Sequence, residues 1–259
     1  MAIWQAILLG LVQGLTEFLP VSSSGHLVLL QRVFQVEEPG LLLDTLLHVG
    51  SLSAVLFVFW RDVWAMLKRP FSKPVYRLVV ATIPAVIAAL LFGDFFDYAY
   101  SGALLGFGFL LTSIVLFLSG NKQGRGKAPS YASSIVMGLF QAAAILPGLS
   151  RSGSTISGGL FMGLDREEAA RFSFLMSIPA ILGSVVFQTL DLSKGSGAAP
   201  SIPFWPVFLG AVAAALSSVF AIRVMLRILR RANLRGFALY TLVLGALVLI
   251  DQFATHFFF

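Results

Sequence analysis

Pro20 interrupts an apolar stretch that is too short on either side to cross a bilayer. Residues 1–19 are apolar apart from a few polar residues, among them Gln13 and Glu17, and residues 22–36 form a second, shorter apolar piece. A membrane-spanning helix needs roughly 20 apolar residues. The two pieces therefore read as a re-entrant helical hairpin with Pro20-Val21-Ser22 at its tip. Non-helical backbone at membrane depth is tolerated only inside protein or beside a wet cavity. The tip is expected in the protein interior, next to water.

The rest of the chain fits a membrane protein. Hydrophobic residues make up 58% of it and charged residues only 12%, whereas a soluble domain is about a quarter charged. The mean hydropathy is +0.89. No basic residue precedes Arg32, so no removable signal peptide is expected. The absence of cysteine excludes disulfides, thiol chemistry and thiolate metal sites. The net charge of +6 is assigned to cytoplasmic loops and anionic lipid headgroups rather than to nucleic acid.

Three spans are expected at about 44–60, 77–94 and 101–119. Arg61, Lys68, Arg69, Lys73 and Arg77 occupy one connection, and Lys122, Arg125 and Lys127 another. Both are placed in the cytoplasm because inner loops are enriched in Lys and Arg. The loops at 37–44 and 93–100, with Glu37, Glu38, Asp44, Asp94 and Asp97, are placed outside. The second half repeats the plan. Short pieces at 130–146 and 152–163 flank Pro147-Gly148, and spans follow at 168–190, 204–229 and 236–257.

At an offset of 128, Gly10-Leu11-x-Gln13 overlies Gly138-Leu139-x-Gln141, and Ser22-x-Ser24-Gly25 overlies Ser150-x-Ser152-Gly153. Gly108-Phe109 overlies Gly236-Phe237 at the same offset. Each half holds an odd number of crossings, so the second half is inverted relative to the first. The expected fold is an all-α polytopic membrane protein, a single integral membrane domain over residues 1–259. Its internal repeats cover 1–128 and 129–259, with six full spans and four short re-entrant helices. Broken helices in corresponding halves point to a site near the midplane, where their tips meet.

The first tip carries Gln13, Glu17, Ser22, Ser23, Ser24, Gly25 and His26. Gln13 and Glu17, four apart, share a helix face. A carboxylate inside a membrane marks function by default, here as a metal ligand or a proton acceptor. A single serine after a proline is an N-cap first, but three exceed what one cap needs. His26, three residues beyond Ser23, has the spacing of a base beside a hydroxyl nucleophile. The second tip carries Ser150, Arg151, Ser152, Gly153 and Thr155. Arg151 offers a fixed fork of donors matched to phosphate; the bland alternative pairs it with Glu17 or another acid. His48 and Ser51 sit in the first full span, with Asp44 at its mouth, where they either line the same cavity or pack against the hairpins.

Gln13-x-x-x-Glu17 with Pro20-Val21-Ser22-Ser23-Ser24-Gly25-His26, and Pro147-Gly148-x-Ser150-Arg151-Ser152-Gly153-x-Thr155, resemble the two signature motifs of the bacterial undecaprenyl-diphosphate phosphatase family of the bacitracin-resistance type. The resemblance covers the whole length. It implies hydrolysis of undecaprenyl diphosphate to undecaprenyl phosphate and phosphate, which recycles the carrier for peptidoglycan synthesis. It also implies a divalent cation, Mg²⁺ or Ca²⁺, with Glu17 as its carboxylate, in a bacterial plasma-membrane site open to the outer face. Glu17, Ser23, His26 and Arg151 are the catalytic candidates. Gln13, Ser22, Ser24, Gly25, Ser150, Ser152, Gly153 and Thr155 are the substrate-binding ones. The expected partners are undecaprenyl diphosphate and membrane lipid, with a homodimer as an option and no nucleic acid. The residues leave two routes open: attack by Ser23 with His26 as base, or attack by a water activated by His26 and Glu17. The competing reading is a transporter or flippase of polyprenyl phosphate lipids, since inverted repeats with broken helices are a transporter architecture.

Overall fold

The computed structural model describes residues 2–34, 41–122, 124–194, 204–231 and 233–258. Among these there are helices and no β-strand. In chain order the helices are α1 (Ile3–Phe18), α2 (Ser23–Val33), α3 (Leu41–Val58), α4 (Trp60–Lys68), α5 (Lys73–Leu91) and α6 (Gly93–Tyr98). A π-helical turn (Ala99–Ala103) leads into α7 (Leu105–Gly120). Then come α8 (Tyr131–Ala143), α9 (Arg151–Phe161), α10 (Arg166–Lys194), α11 (Phe204–Arg231) and α12 (Arg235–Ile250).

Among the described residues four stretches are long and apolar enough to cross a membrane: Lys73–Leu91, Arg166–Val186, Phe204–Arg230 and Arg235–Thr255. Two bent pairs qualify only when each is taken together. Leu43–Val58 turns by 82° into Trp60–Lys68, and Gly93–Ala103 turns by 99° into Leu105–Gly120. The protein is thus a multi-pass membrane protein with four to six apolar spans. The bends fall within or beside the expected spans 44–60 and 101–119. The first occurs where α4 begins, a short helix with exposed Trp60, Trp64 and Leu67 and cations stacked on its indoles, Arg61 on Trp60 and Lys68 on Trp64. That mixture suits the membrane interface rather than the bilayer core. The second follows Gly102, whose φ of 99° breaks the helix in a way that glycine tolerates. Glu37 and Glu38, expected in an outer loop, lie outside the described residues.

The two shorter apolar helices, α1 and α8, each precede a tight break and a second short helix. After α1 the chain extends through Leu19 and turns at Ser22, which has a φ of 69°. Ser22 then caps α2 by accepting the Gly25 amide at 3.3 Å. After α8 the turn passes through Gly148, with a φ of 87°, and Ser150 caps α9 by accepting the Gly153 amide at 3.1 Å. Both caps satisfy N–H groups that a helix start leaves unpaired. They also sit 128 residues apart (22 to 150, 25 to 153), as do the bounds of α2 and α9 (23 to 151, 33 to 161).

Close packing rests on small residues, because apolar burial does not drive helices together in lipid. α1 lies against α11 through Gly10 and Gly14. A Cβ at Gly10 would overlap the Gly210 carbonyl, and one at Gly14 would overlap the Ser217 hydroxyl and the Ala214 carbonyl. α7 meets the second tip in the same way, with Gly108 against the Pro147 carbonyl. Between the helices Phe18, Phe59 and Phe174 form a ring cluster with centroids 5.3 and 6.3 Å from Phe174. Leu91, Phe220 and Leu247 are exposed, as lipid-facing side chains are.

Replacing Gly14 by leucine should force α1 off α11, since the obstacles are backbone and a short hydroxyl. We expect overpacking of at least about 1–3 kcal/mol. It is read as a lower melting temperature in detergent, or as loss of the monodisperse peak. An unchanged melt would mean that this contact is not what seats α1.

Candidate active site

The polar residues of the two tips converge. Gly25 abuts Gly148, with 3.1 Å from a Cβ built on Gly25 to the Gly148 Cα. Ser152 Oγ donates to the Leu19 carbonyl at 3.0 Å. At the centre lies Glu17, with a side chain only 6% exposed. Its Oε1 accepts from Arg151 Nη2 at 2.5 Å. Its Oε2 accepts from the Ser23 hydroxyl at 2.5 Å and from Gln13 Nε2 at 3.1 Å. A buried carboxylate needs this degree of pairing, because an uncompensated charge away from water is strongly destabilising. Arg151 also donates to the Ser173 carbonyl at 3.3 Å, which steers its fork from α10.

Of the twelve residues expected in the site, only Ser23, Ser24 and Arg151 are not buried. Several of the others are engaged in building the tips. Ser22 and Ser150 are helix caps, and Gly25 and Gly153 supply the capped amides at points of close approach. Thr155 returns its hydroxyl to the Arg151 carbonyl at 2.8 Å and contacts the Ser173 hydroxyl at 2.5 Å. Ser152 spans the two tips. The accessible chemistry is therefore a hydroxyl hydrogen-bonded to a carboxylate, facing a guanidinium.

His26 occupies a different place from the one its spacing suggested. Its Nδ1 lies 2.7 Å from the Ser22 carbonyl. A carbonyl only accepts, so Nδ1 carries the proton and Nε2 is a bare acceptor. Nε2 receives the Tyr240 hydroxyl at 2.6 Å. The ring stacks on Tyr240 and meets the edge of Phe109. Both nitrogens are thus taken, and the side-chain partner of Ser23 is Glu17. Ser23 bonds to Glu17 on α1, whereas His26 meets Tyr240 on α12.

Sequence reasoning did not find Tyr240, Thr112 or Ser173. Thr112 accepts the Ser150 amide and donates to the Gly148 carbonyl, both at 2.8 Å. These residues lie alone within apolar helices, and the one available signal was a polar group where the periodicity asks for none. His48, by contrast, does approach the carboxylate: its Nε2 lies 3.8 Å from Glu17 Oε2. Among the described residues no three of His, Asp or Glu converge as a metal cage. A single carboxylate beside hydroxyls still fits a hard cation that brings phosphate oxygens and water with it, as Mg²⁺ commonly does.

The model of the family described as bacitracin resistance protein BacA matches residues 6–247. The chain belongs to that family. Among its relatives, undecaprenyl-diphosphatase 4 of Bacillus cereus is 45% identical over 257 residues, covering 98% of each chain. The undecaprenyl-diphosphatase of Carboxydothermus hydrogenoformans is 44% identical over 258 residues, covering 98% of this chain and 99% of that one. The enzyme of the same name from Halothermothrix orenii is 40% identical, covering 96% and 98%. The BacA family match spans both tips, so the pairing of Glu17 with Arg151 lies wholly within it.

Tyr240→Phe should strand the His26 Nε2 acceptor in a buried position. The expected cost is about 1–3 kcal/mol, seen as a lowered melting temperature of the purified protein. A wild-type melt would show that His26 does not depend on this bond.

Proposed function

We infer that this protein is an undecaprenyl-diphosphatase, cleaving undecaprenyl diphosphate to undecaprenyl phosphate and inorganic phosphate. The observation that carries the site reading is the meeting of three groups from two hairpins. Ser23 and Arg151 are both within 2.5 Å of the Glu17 carboxylate, and both are reachable from outside the core.

Arg151 is the phosphate clamp in this reading. Its guanidinium matches phosphate bidentately, and an arriving diphosphate competes with Glu17 for it. Once the fork turns to the substrate, Glu17 keeps its hydrogen bond from Ser23 and serves as the base. The Ser23 O–H bond then breaks toward Glu17 as Ser23 Oγ bonds to the terminal phosphorus. The bond from that phosphorus to the bridging oxygen breaks, and undecaprenyl phosphate leaves with the proton held on Glu17. Water then attacks the phosphoserine phosphorus, its remaining hydrogens leaving with the inorganic phosphate, and the Ser23 oxygen takes the proton back from Glu17 as its bond to phosphorus breaks. His26 holds the Ser22 turn that presents the nucleophile. Ser24 adds a partly exposed hydroxyl to the lining, while Ser152 and the capped amides of Gly25 and Gly153 hold the two tips in place for the substrate. A divalent cation, Mg²⁺ or Ca²⁺, belongs to this reading; Glu17 would hold it together with substrate oxygens, and it would neutralise charge building on the diphosphate.

The proposed architecture is an inverted repeat of two halves, each a re-entrant hairpin followed by three spans, six in all. The equal offsets of the caps and of α2 and α9 support it. The proposed location is the bacterial plasma membrane, with the site open to the outer face and the polyprenyl tail lying in lipid.

Arg151→Lys should keep the charge but lose the fork, cutting phosphate release by about 100-fold or more. Ser23→Ala should abolish turnover. Brief reaction with terminally labelled substrate should leave acid-stable phosphate on Ser23; full turnover by Ser23→Ala would move the nucleophile to water. Chelation with EDTA should stop release and Mg²⁺ restore it.

The natural absence of cysteine makes topology directly testable. Ala128→Cys, in the exposed loop before α8, should react with an impermeant maleimide only from the cytoplasmic side, and Phe257→Cys only from the outer side. Labelling of both from one side would exclude the six-span inverted arrangement.

A further inference from the structure

His48 stands behind the carboxylate of the proposed site and belongs to neither signature stretch. It lies on α3, with 26% of its side chain exposed. Its Nδ1 lies 2.7 Å from the backbone carbonyl of Asp44. A carbonyl can only accept, so Nδ1 carries the hydrogen and the Nε2 lone pair is free in the neutral ring. That lone pair lies 3.8 Å from Glu17 Oε2. Two acceptors facing one another at this distance repel unless a proton on Nε2 makes them an ion pair or a metal ion lies between them.

The surroundings point to a cation as the bridge. A metal-binding imidazole characteristically donates its other N–H to a backbone carbonyl or carboxylate, which fixes the tautomer and the ring direction. His48 has that arrangement through Asp44. Asp44 is itself held by Gln31, whose Nε2 donates to Oδ1 at 3.0 Å. A separation of 3.8 Å can be bridged by one ion with ordinary ligand bonds of about 2.1 Å. Two further oxygens add to the case. Gln13 Oε1 and Ser51 Oγ are buried, fully enclosed, and without a hydrogen-bond partner. Gln13 is bonded to the same Glu17 oxygen through its nitrogen, and Ser51 is one turn beyond His48 on α3. Buried polar atoms are normally paired.

We propose that His48 is a nitrogen ligand of the divalent cation, sharing it with Glu17, and that the site therefore favours a transition ion such as Mn²⁺ over Ca²⁺. The selectivity follows from donor type. Ca²⁺ takes oxygen ligands, whereas imidazole suits first-row transition ions. The remaining coordination positions fall to water and to the oxygens of the diphosphate, since no third His, Asp or Glu converges there among the described residues. The inference rests on the divalent-cation part of the proposed function and deepens it.

The test uses Mn²⁺ as probe on the full chain in detergent, with and without inorganic pyrophosphate. Pulsed electron paramagnetic resonance of bound Mn²⁺ should show ¹⁴N modulation from a directly bonded imidazole. The chain has only three histidines, so the source can be assigned by substitution. In His48→Gln the modulation should vanish, and Mn²⁺ affinity should fall at least tenfold. His256→Gln should keep both. His48→Asp, which restores an anionic oxygen ligand, should recover Mn²⁺ binding without ¹⁴N modulation and lose the preference for Mn²⁺ over Ca²⁺. Melting of the metal-free variants separates a lost ligand from a lost fold. Mn²⁺ bound through Glu17 with no ¹⁴N modulation in the wild type would overturn the role of His48 and leave the cation reading standing. No Mn²⁺ binding at all, even with pyrophosphate, would overturn both.

Discussion

The contact on which the molecule depends is the ion pair between Glu17 and Arg151. Each charge sits at the end of a short helix in an apolar setting, where an unpaired charge is costly. Neither helix can supply the partner for its own charge. The pair is formed only when the tip after α1 and the tip before α9 meet, so the same contact that neutralises the charges joins the two halves. Removing one partner would leave the other buried and uncompensated, which is far worse than removing both. The arrangement is also poised for an anion: a phosphate that takes Arg151 frees Glu17 in the act of binding.

Around this pair the interior is made polar by the shortest available side chains. Serine and threonine hydroxyls return to nearby carbonyls or to one another, as Ser119 does to Ser157 at 2.7 Å and Thr155 to Ser173 at 2.5 Å. Such bonds satisfy polar groups without long side chains, which lets backbones approach at Gly14, Gly108 and Gly148. Rigid, close-packed helices then hold Glu17, Ser23 and Arg151 in register. In lipid this close fit takes the place that apolar burial has in water.

Positions 128 apart carry different residues where chemistry is concentrated: Glu17 against Ile145, Ser23 against Arg151, and His26 against Ser154. The caps, in contrast, are alike in both halves. One tip brings carboxylate and hydroxyl, the other brings the cation. In the proposed reaction an anionic substrate between them meets Ser23 as nucleophile on one side and Arg151 as clamp on the other. That division lets one bound phosphate contact both.

The sequence by itself determined the class of protein, the two breaks, and the identity of the groups that meet. Apolar runs shorter than a bilayer, each ended by proline, leave few other folds, and charged residues amid such runs must find one another. The caps were legible too, because Ser-x-x-Gly after a break is a local signal. The partners of the individual side chains were decided by the tertiary structure. His26 has the spacing of a base for Ser23, yet its ring is held by the Ser22 carbonyl and by Tyr240 on a helix more than 200 residues away. His48 had two readings on α3, and only the approach of α3 to α1 put its nitrogen beside Glu17. Spacing along one helix fixes which residues share a face. It does not fix what that face meets, because the meeting depends on the angle of each turn and on helices far away in the chain.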